Sequence, residues 1–321
     1  MAGEVFSKIF EKVKYKMILG LTATFERLDG KHELIAKYCP VCDEVNIAEA
    51  IVNNWVSQFT EYEVLIEVDL SKYKEYNRIF TEHFAFFNYN WGLVQSMLGK
   101  NGYKNKIKYR DEIYTGNDPV KKAQVLKTIN YHAIGFFQAV QNRKKFINSH
   151  PKKLEIARKI INARSDKKII TFSKTIKMAE ELWKTAPNKD IEFVYSGKDS
   201  KKKSRITIEE FSKLDKGVLC TCERANEGLD CPGLSVGIIL GLDSSSIKAN
   251  QRRGRVIRKE SDKTAEIFNL ILVDTVEQKW FSEAHKNDSI IKIDEENLYK
   301  ILQGKPYEQY RKKLTNLSFR F

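Results

Sequence analysis

The second half of the chain alternates short apolar runs with amphipathic stretches. Lys168 to Phe172 (KIITF), Ile191 to Tyr195 (IEFVY), Gly217 to Thr221 (GVLCT), Ser235 to Leu240 (SVGIIL) and Ala265 to Val273 (AEIFNLILV) are rich in β-branched residues and too short for buried helices, so they read as strands covered on both faces. Between them, MAEELW from Met178, ITIEEFSKL from Ile206 and SIKANQRRGRVI from Ser246 carry helical spacing. Strand-helix alternation of this kind predicts an α/β fold built on a doubly wound parallel sheet, assigned to residues 151–290.

The first half is less regular. A helix over Val5 to Val13, a strand over Met17 to Leu21, a helix near Lys31 to Tyr38 and a short strand around Val41 to Val45 are expected. These pieces, assigned to residues 1–55, are too few to close a sheet of their own. Residues 56–150 read as a strand (EVLIEVDL, from Glu63) followed by long helical patterns, in which Tyr73, Tyr76, Phe80 and Phe84 recur at three- and four-residue spacing. Such a stripe can stack bases; the packed face of a helical hairpin is the reading preferred. Residues 291–321 form a tail whose Tyr299, Tyr307, Tyr310, Phe319 and Phe321 are expected to pack on the α/β domain.

Composition narrows the class. A chain of 321 residues with 42% hydrophobic residues buries a sizeable core. The longest candidate apolar run, Val236 to Leu242, falls far below a membrane span, and the expectation is a cytoplasmic protein without membrane contact. Five cysteines give no disulfide framework. Cys39 and Cys42 have zinc-knuckle spacing, with Cys220, Cys222 and Cys231 as conceivable complements, but no second close pair exists in the right context; no metal site is assigned. The five histidines are scattered and read as core or solvated residues.

The net charge of +14 is unevenly spread: residues 143–205 hold 19 basic against 7 acidic residues, while each flank is nearly neutral. That excess suits a phosphate backbone, with a solvated lysine-rich face as the alternative. Lys198 and Arg205 stand in this segment.

Three motifs carry chemistry. ILGLTAT (Ile18 to Thr24) places Thr22 and Thr24 at the end of a strand, where open α/β sheets bind ligands. In VLCTCERANEGLDCPG (Val218 to Gly233), Thr221 can donate to a phosphate, Gly228 permits close backbone approach, and Glu227 and Asp230 add polar groups to the turn. In QRRGRVIR, Gln251, Gly254, Arg255 and Arg258 fall at i, i+3, i+4 and i+7, one face if the whole segment is helical. Two guanidiniums beside an amide suit phosphate oxygens; a basic helix that binds nucleic acid by charge alone is the alternative.

In this order and spacing, LTAT, a KIITF-type strand, TCERANEGLD and QRRGRVIR resemble motifs III to VI of superfamily 2 helicases, most closely the DEAH-type DNA helicases of the XPB-like and phage repair group. The resemblance implies a RecA-like fold, with residues 1–55 the end of a first RecA-like domain and 151–290 the second. It implies Arg258 as arginine finger, Arg255 as second contact to the γ-phosphate of ATP, and Gln251 as positioning residue. Glu227, Gly228, Asp230 and Gly254 then line the nucleotide side. Thr221, Ser173 and Lys174, with Lys198 and Arg205, touch nucleic acid, DNA in preference to RNA, and Thr22 and Thr24 couple the two ligands.

What the family needs for ATP and Mg²⁺ is missing. GxxxxGK[ST] is absent, and Asp43-Glu44-Val45-Asn46 ends wrongly for a DExH box and follows LTAT instead of preceding it. The expectation is a motor half completed by a partner polypeptide that carries the P-loop and DEAH box. A non-catalytic nucleic-acid-binding module or helicase remnant is the alternative.

Overall fold

The computed structural model describes residues 8–22, 30, 32–195, 201–222, 231–242, 246–260, 264–286 and 288–309. In chain order they form α1 (Ile9–Lys12), α2 (His32–Ala36), α3 (Ile47–Val52), β1 (Gln58–Ile66), α4 (Ser71–Ala85), α5 (Trp91–Leu98), α6 (Gly102–Ile113), α7 (Pro119–Asn148), α8 (Pro151–Ala163) and β2 (Lys168–Ser173). There follow α9 (Ile176–Lys184), β3 (Glu192–Tyr195), α10 (Lys201–Ser212), β4 (Gly217–Cys222), β5 (Val236–Ile239), α11 (Ser246–Val256), β6 (Thr264–Leu272), α12 (Val276–Ala284), β7 (Ile291–Asp294) and α13 (Glu295–Leu302). Two compact units result. One holds residues 1–65, 154–271 and 276–321; the other holds 66–153 and 272–275.

The first unit is the expected α/β fold. Seven strands lie in the order β3-β4-β2-β5-β6-β1-β7, and the registers of β2 with β4 and β5, β3 with β4, β5 with β6 and β1 with β7 are all parallel. Every residue of β2, β4 and β5 is buried, as the unbroken β-branched runs required. All five strands expected from 168–273 form, and α9, α10 and α11 occupy the three amphipathic stretches.

The sheet exceeds the expected 151–290 at both ends. β1, from the region read as a connection, and β7, from the region read as a tail, complete it. An uncovered β6 would leave a row of unpaired backbone groups; β1 takes that place, with Tyr62 stacked on Phe268 at 5.0 Å. Local caps set several boundaries: Thr175 accepts from the Met178 N–H at 3.2 Å to start α9, and Asp294 from the Asn297 N–H at 2.9 Å to start α13. Of the tail aromatics, the Tyr299 hydroxyl accepts from Lys159 at 2.9 Å; Tyr310, Phe319 and Phe321 lie outside the described residues.

Before β1 the strands expected at Met17–Leu21 and Val41–Val45 do not form. Met17 and Leu21 are each 87% exposed. A lone strand has no partner for its N–H and C=O groups, so a short apolar run cannot hold it extended without a sheet.

The second unit is helical. α4 and α7 form a hairpin whose core joins Phe87, Val94, Met97, Ile129, Ala133 and Phe136, with Phe80 and Phe84 packed against it. Tyr73 is itself buried, so three members of the aromatic stripe lie in core packing. Among the described residues no helix is long and apolar enough to cross a membrane, and no group of three or more His, Cys, Asp or Glu side chains is placed to hold a metal ion.

Gly237 in β5 lets α11 approach the sheet: a Cβ there would meet Val256 Cγ2 at 2.8 Å. Val256 is β-branched and buried, so it has little freedom to turn aside. Gly237→Ala is expected to destabilise the chain by about 1–3 kcal/mol, read as a lowered urea midpoint; an unchanged midpoint would contradict this packing.

Candidate functional site: the α11 wall

α11 ends in the QRRGRVIR segment, and its residues divide by what surrounds them. Gln251 and Gly254 are exposed and Arg255 is half-buried, whereas Arg252 and Arg253 are buried. Arg252 donates from one guanidinium nitrogen to the Gly241 carbonyl at 3.0 Å and lies over the Phe172 ring at 5.8 Å.

Arg253 is only 6% exposed and meets two carboxylates. Its Nε donates to Glu61 in β1 at 2.8 Å, and its two terminal nitrogens reach Asp288 at 3.1 and 2.5 Å. Burial works against this cation, but Asp288 and Glu61 outweigh it and hold its pKa above the ordinary value. The second Glu61 oxygen accepts from Asn269 at 2.9 Å, and His285 Nε2 stands 3.6 Å away.

The helix stops at Val256, which corrects the expectation of one helical face. Arg258 lies two residues beyond α11, in an isolated antiparallel bridge with Val56. Ser57 fixes that bridge: its N–H donates to the Ile257 carbonyl at 2.9 Å and its hydroxyl to the Arg258 carbonyl at 2.9 Å. Gln251, Gly254 and Arg255 remain on the helix, while the exposed Arg258 side chain is carried by extended backbone.

Two motifs meet here. The Gly233 N–H donates to Glu260, and Arg255 is within electrostatic reach of Cys231, the residue after Asp230. Burial presses the Arg255 guanidinium below its ordinary value, with Cys231 opposing; the same burial raises the Cys231 thiol. A partly desolvated cation gains more from an anion than a solvated one does. Glu227, Gly228 and Asp230 lie outside the described residues, as do Thr24 and Lys198.

The nucleic-acid candidates are distributed differently. Thr221 is fully buried, and its hydroxyl donates to the Thr171 carbonyl of β2 at 2.6 Å. In this arrangement its hydroxyl serves the sheet. Ser173 ends β2 with a buried side chain whose Oγ has no hydrogen-bond partner among the described residues. Lys174 follows it, half-buried, and a Cβ on Gly241 would meet Lys174 Cγ at 2.4 Å. Thr22 is exposed. Arg205 belongs to α10, and its side chain lies outside the described positions.

Sequence reasoning missed Arg253 and its partners. The doubled arginine was visible, but Glu61 is 192 residues away and Asp288 is 35, and nothing local pairs them.

Residues 152–260 match the family model described as the helicase conserved C-terminal domain. With the parallel sheet, this makes the segment a RecA-like helicase C-terminal domain. The chain is similar to the DNA 3'-5' translocase XPB2 of Sulfurisphaera tokodaii, 23% identical over 261 residues, covering 81% of this chain and 54% of that protein; it thus spans about half the length of that curated relative. Among solved structures it is similar to Mss116p DEAD-box helicase domain 2 bound to an RNA duplex, with 26% identity, 51% of this chain and 67% of that chain covered and a TM-score of 0.39. It is also similar to the C-terminal part of the Fun30 ATPase domain, with 16% identity, 71% and 90% covered and a TM-score of 0.44.

Arg253→Met leaves the buried Glu61 and the partly buried Asp288 without their shared cation. Breaking such a buried pair costs about 3–5 kcal/mol, so urea unfolding should show a large drop in stability; a midpoint within error of the natural chain would contradict the clamp.

Proposed function

We propose that this chain is the C-terminal motor half of an ATP-dependent DNA helicase or translocase. α11 and the bridge after it supply one wall of a nucleotide cleft. Arg258 is the arginine finger, Arg255 the second cation at the γ-phosphate and Gln251 the positioning amide, with Glu227, Gly228, Asp230 and Gly254 lining the nucleotide side.

ATP brings the transferable phosphoryl group, and Mg²⁺ neutralises charge on it. The chain's own part is to hold two guanidiniums where negative charge develops, already partly stripped of water in the case of Arg255. The P-loop lysine and the metal carboxylate belong to a first RecA-like domain, because these 321 residues contain no GxxxxGK[ST] sequence. A partner polypeptide carrying the P-loop and DEAH box fills that role.

The observation that carries this reading is the meeting of the two motifs: the Gly233–Glu260 hydrogen bond and the Cys231–Arg255 proximity bring the segment after Asp230 against QRRGRVIR. Nucleic acid as a partner is favoured by the basic segment 143–205, and DNA by similarity to a protein named a DNA translocase. Ser173, Lys174, Lys198 and Arg205 are the proposed backbone contacts, and Thr22 and Thr24 the coupling residues.

The test mixes the chain with a P-loop RecA-like domain of a related translocase and follows DNA-stimulated ATP hydrolysis. Arg258→Ala is expected to lower the rate about 10³-fold or more, the range of an arginine finger. Equal rates for the natural chain and the variant would overturn the assignment. Salt-dependent DNA binding without hydrolysis in any mixture would favour the non-catalytic module instead.

A further inference from the structure

The helical unit carries a surface that the nucleotide cleft does not use. α7 holds Lys121, Lys122, Lys127, Arg143, Lys144 and Lys145 and not one Asp or Glu. Several other exposed helices pair cations with carboxylates: Lys159 with Glu155 in α8, Lys300 with Glu296 in α13, Lys177 with Glu181 in α9, Lys279 with Glu283 in α12, and Arg78 with Glu75 and Glu82 in α4. Such i,i+4 pairs are what a merely solvated helix face uses. α7 departs from that habit along its whole length.

Its outward face is also aromatic. Ile129, Ala133, Phe136, Ala139 and Ile147 face the core; on the other side Lys127, Tyr131, Ile134, Gln138, Asn142 and Lys145 are all exposed, at spacing that keeps them in one stripe. Tyr131 is 61% and the flanking Phe137 47% exposed. The Tyr131 ring is braced edge-on by His83 and His132, each at 5.2 Å, so its orientation is set before any ligand arrives. α6 adds Lys106, which donates to Asn130 on α7 at 2.7 Å. Lys127 and Lys145 stand about 27 Å apart along the axis, at 1.5 Å per residue, with the aromatic positions between them.

We infer that this face of α7 binds single-stranded nucleic acid, its lysines against phosphates and Tyr131 against a base. Two exposed lysines on one face with a braced ring between them suit a strand whose bases are unpaired, and the lack of any carboxylate in α7 leaves the face no internal competitor for phosphates. The inference rests on the proposed nucleic-acid function and adds a second surface, in the helical unit, to the contacts proposed on the sheet unit.

The test measures fluorescence anisotropy of labelled 20-nucleotide oligo(dT), oligo(U) and a 20-base-pair DNA duplex with the full chain across a salt series. Lys127→Glu with Lys145→Glu should flatten the single-strand salt dependence by roughly 1.4 in log K against log salt, about 0.7 for each phosphate that a lysine no longer neutralises. Tyr131→Ala should weaken single-strand binding about 10-fold with the slope unchanged, and Tyr131→Phe should restore it. Weakening on oligo(dT) alone assigns the face to DNA, and weakening on oligo(U) alone to RNA; either supports the inference. Unchanged binding in these variants, while Lys174→Glu lowers affinity, would overturn this surface and leave the proposed function standing. Weakening confined to the duplex would also overturn it, and failure of the natural chain to bind any probe would overturn both. Lys127, Tyr131 and Lys145 are all exposed, and circular dichroism of each variant confirms that the fold is intact.

Discussion

A buried guanidinium holds the α11 wall in place. Arg253 reaches away from the exposed side of α11 to Glu61 on β1 and Asp288 near β7, so three distant parts of the chain share one ionic junction. Removing such a group from water is costly, and only near-complete pairing offsets the cost. The junction therefore tolerates few arrangements. With Arg253 turned inward, Gln251 and Gly254 must face outward and Arg255 must sit at the edge, half in water. Val256, seated on Gly237, fixes the depth at which the helix meets β5.

The rest of the wall is set by backbone. Arg258 is positioned by the Val56 bridge and by the two hydrogen bonds of Ser57. The segment entering β1 thus holds the arginine, and β1 is in turn held by the Arg253 junction through Glu61. A strand that reads as part of a connection serves the site from two directions.

How much of this was legible follows from how far each signal reaches along the chain. β2, β4, β5 and β6 stood out because strands buried on both faces must be continuously apolar, and α9 to α11 because one face of each is packed. QRRGRVIR stood out because its spacing is local. β1 could be read as an isolated strand and β7 was read only as tail, because membership of the sheet depends on partners such as Tyr62 and Ile291, paired across most of the chain. The Arg253 clamp was invisible for the same reason. At Met17–Leu21 the pattern of a strand is present and its sheet is not, so periodicity alone misleads. Thr221 shows another limit of local signals: a hydroxyl at a strand end suits a phosphate, and its hydrogen bond to Thr171 in the neighbouring strand depends on the sheet.

The central claim is that α11 forms one wall of a nucleotide site and that the phosphate-gripping wall belongs to another domain. Titration of a fluorescent ATP analogue with Mg²⁺ tests it most directly, with the chain alone, with an intact P-loop RecA-like domain alone and with the two mixed. The account predicts no saturable binding by the chain alone below the millimolar range, and tighter binding by the mixture than by the P-loop domain alone. Tight, saturable binding by the chain alone would contradict it.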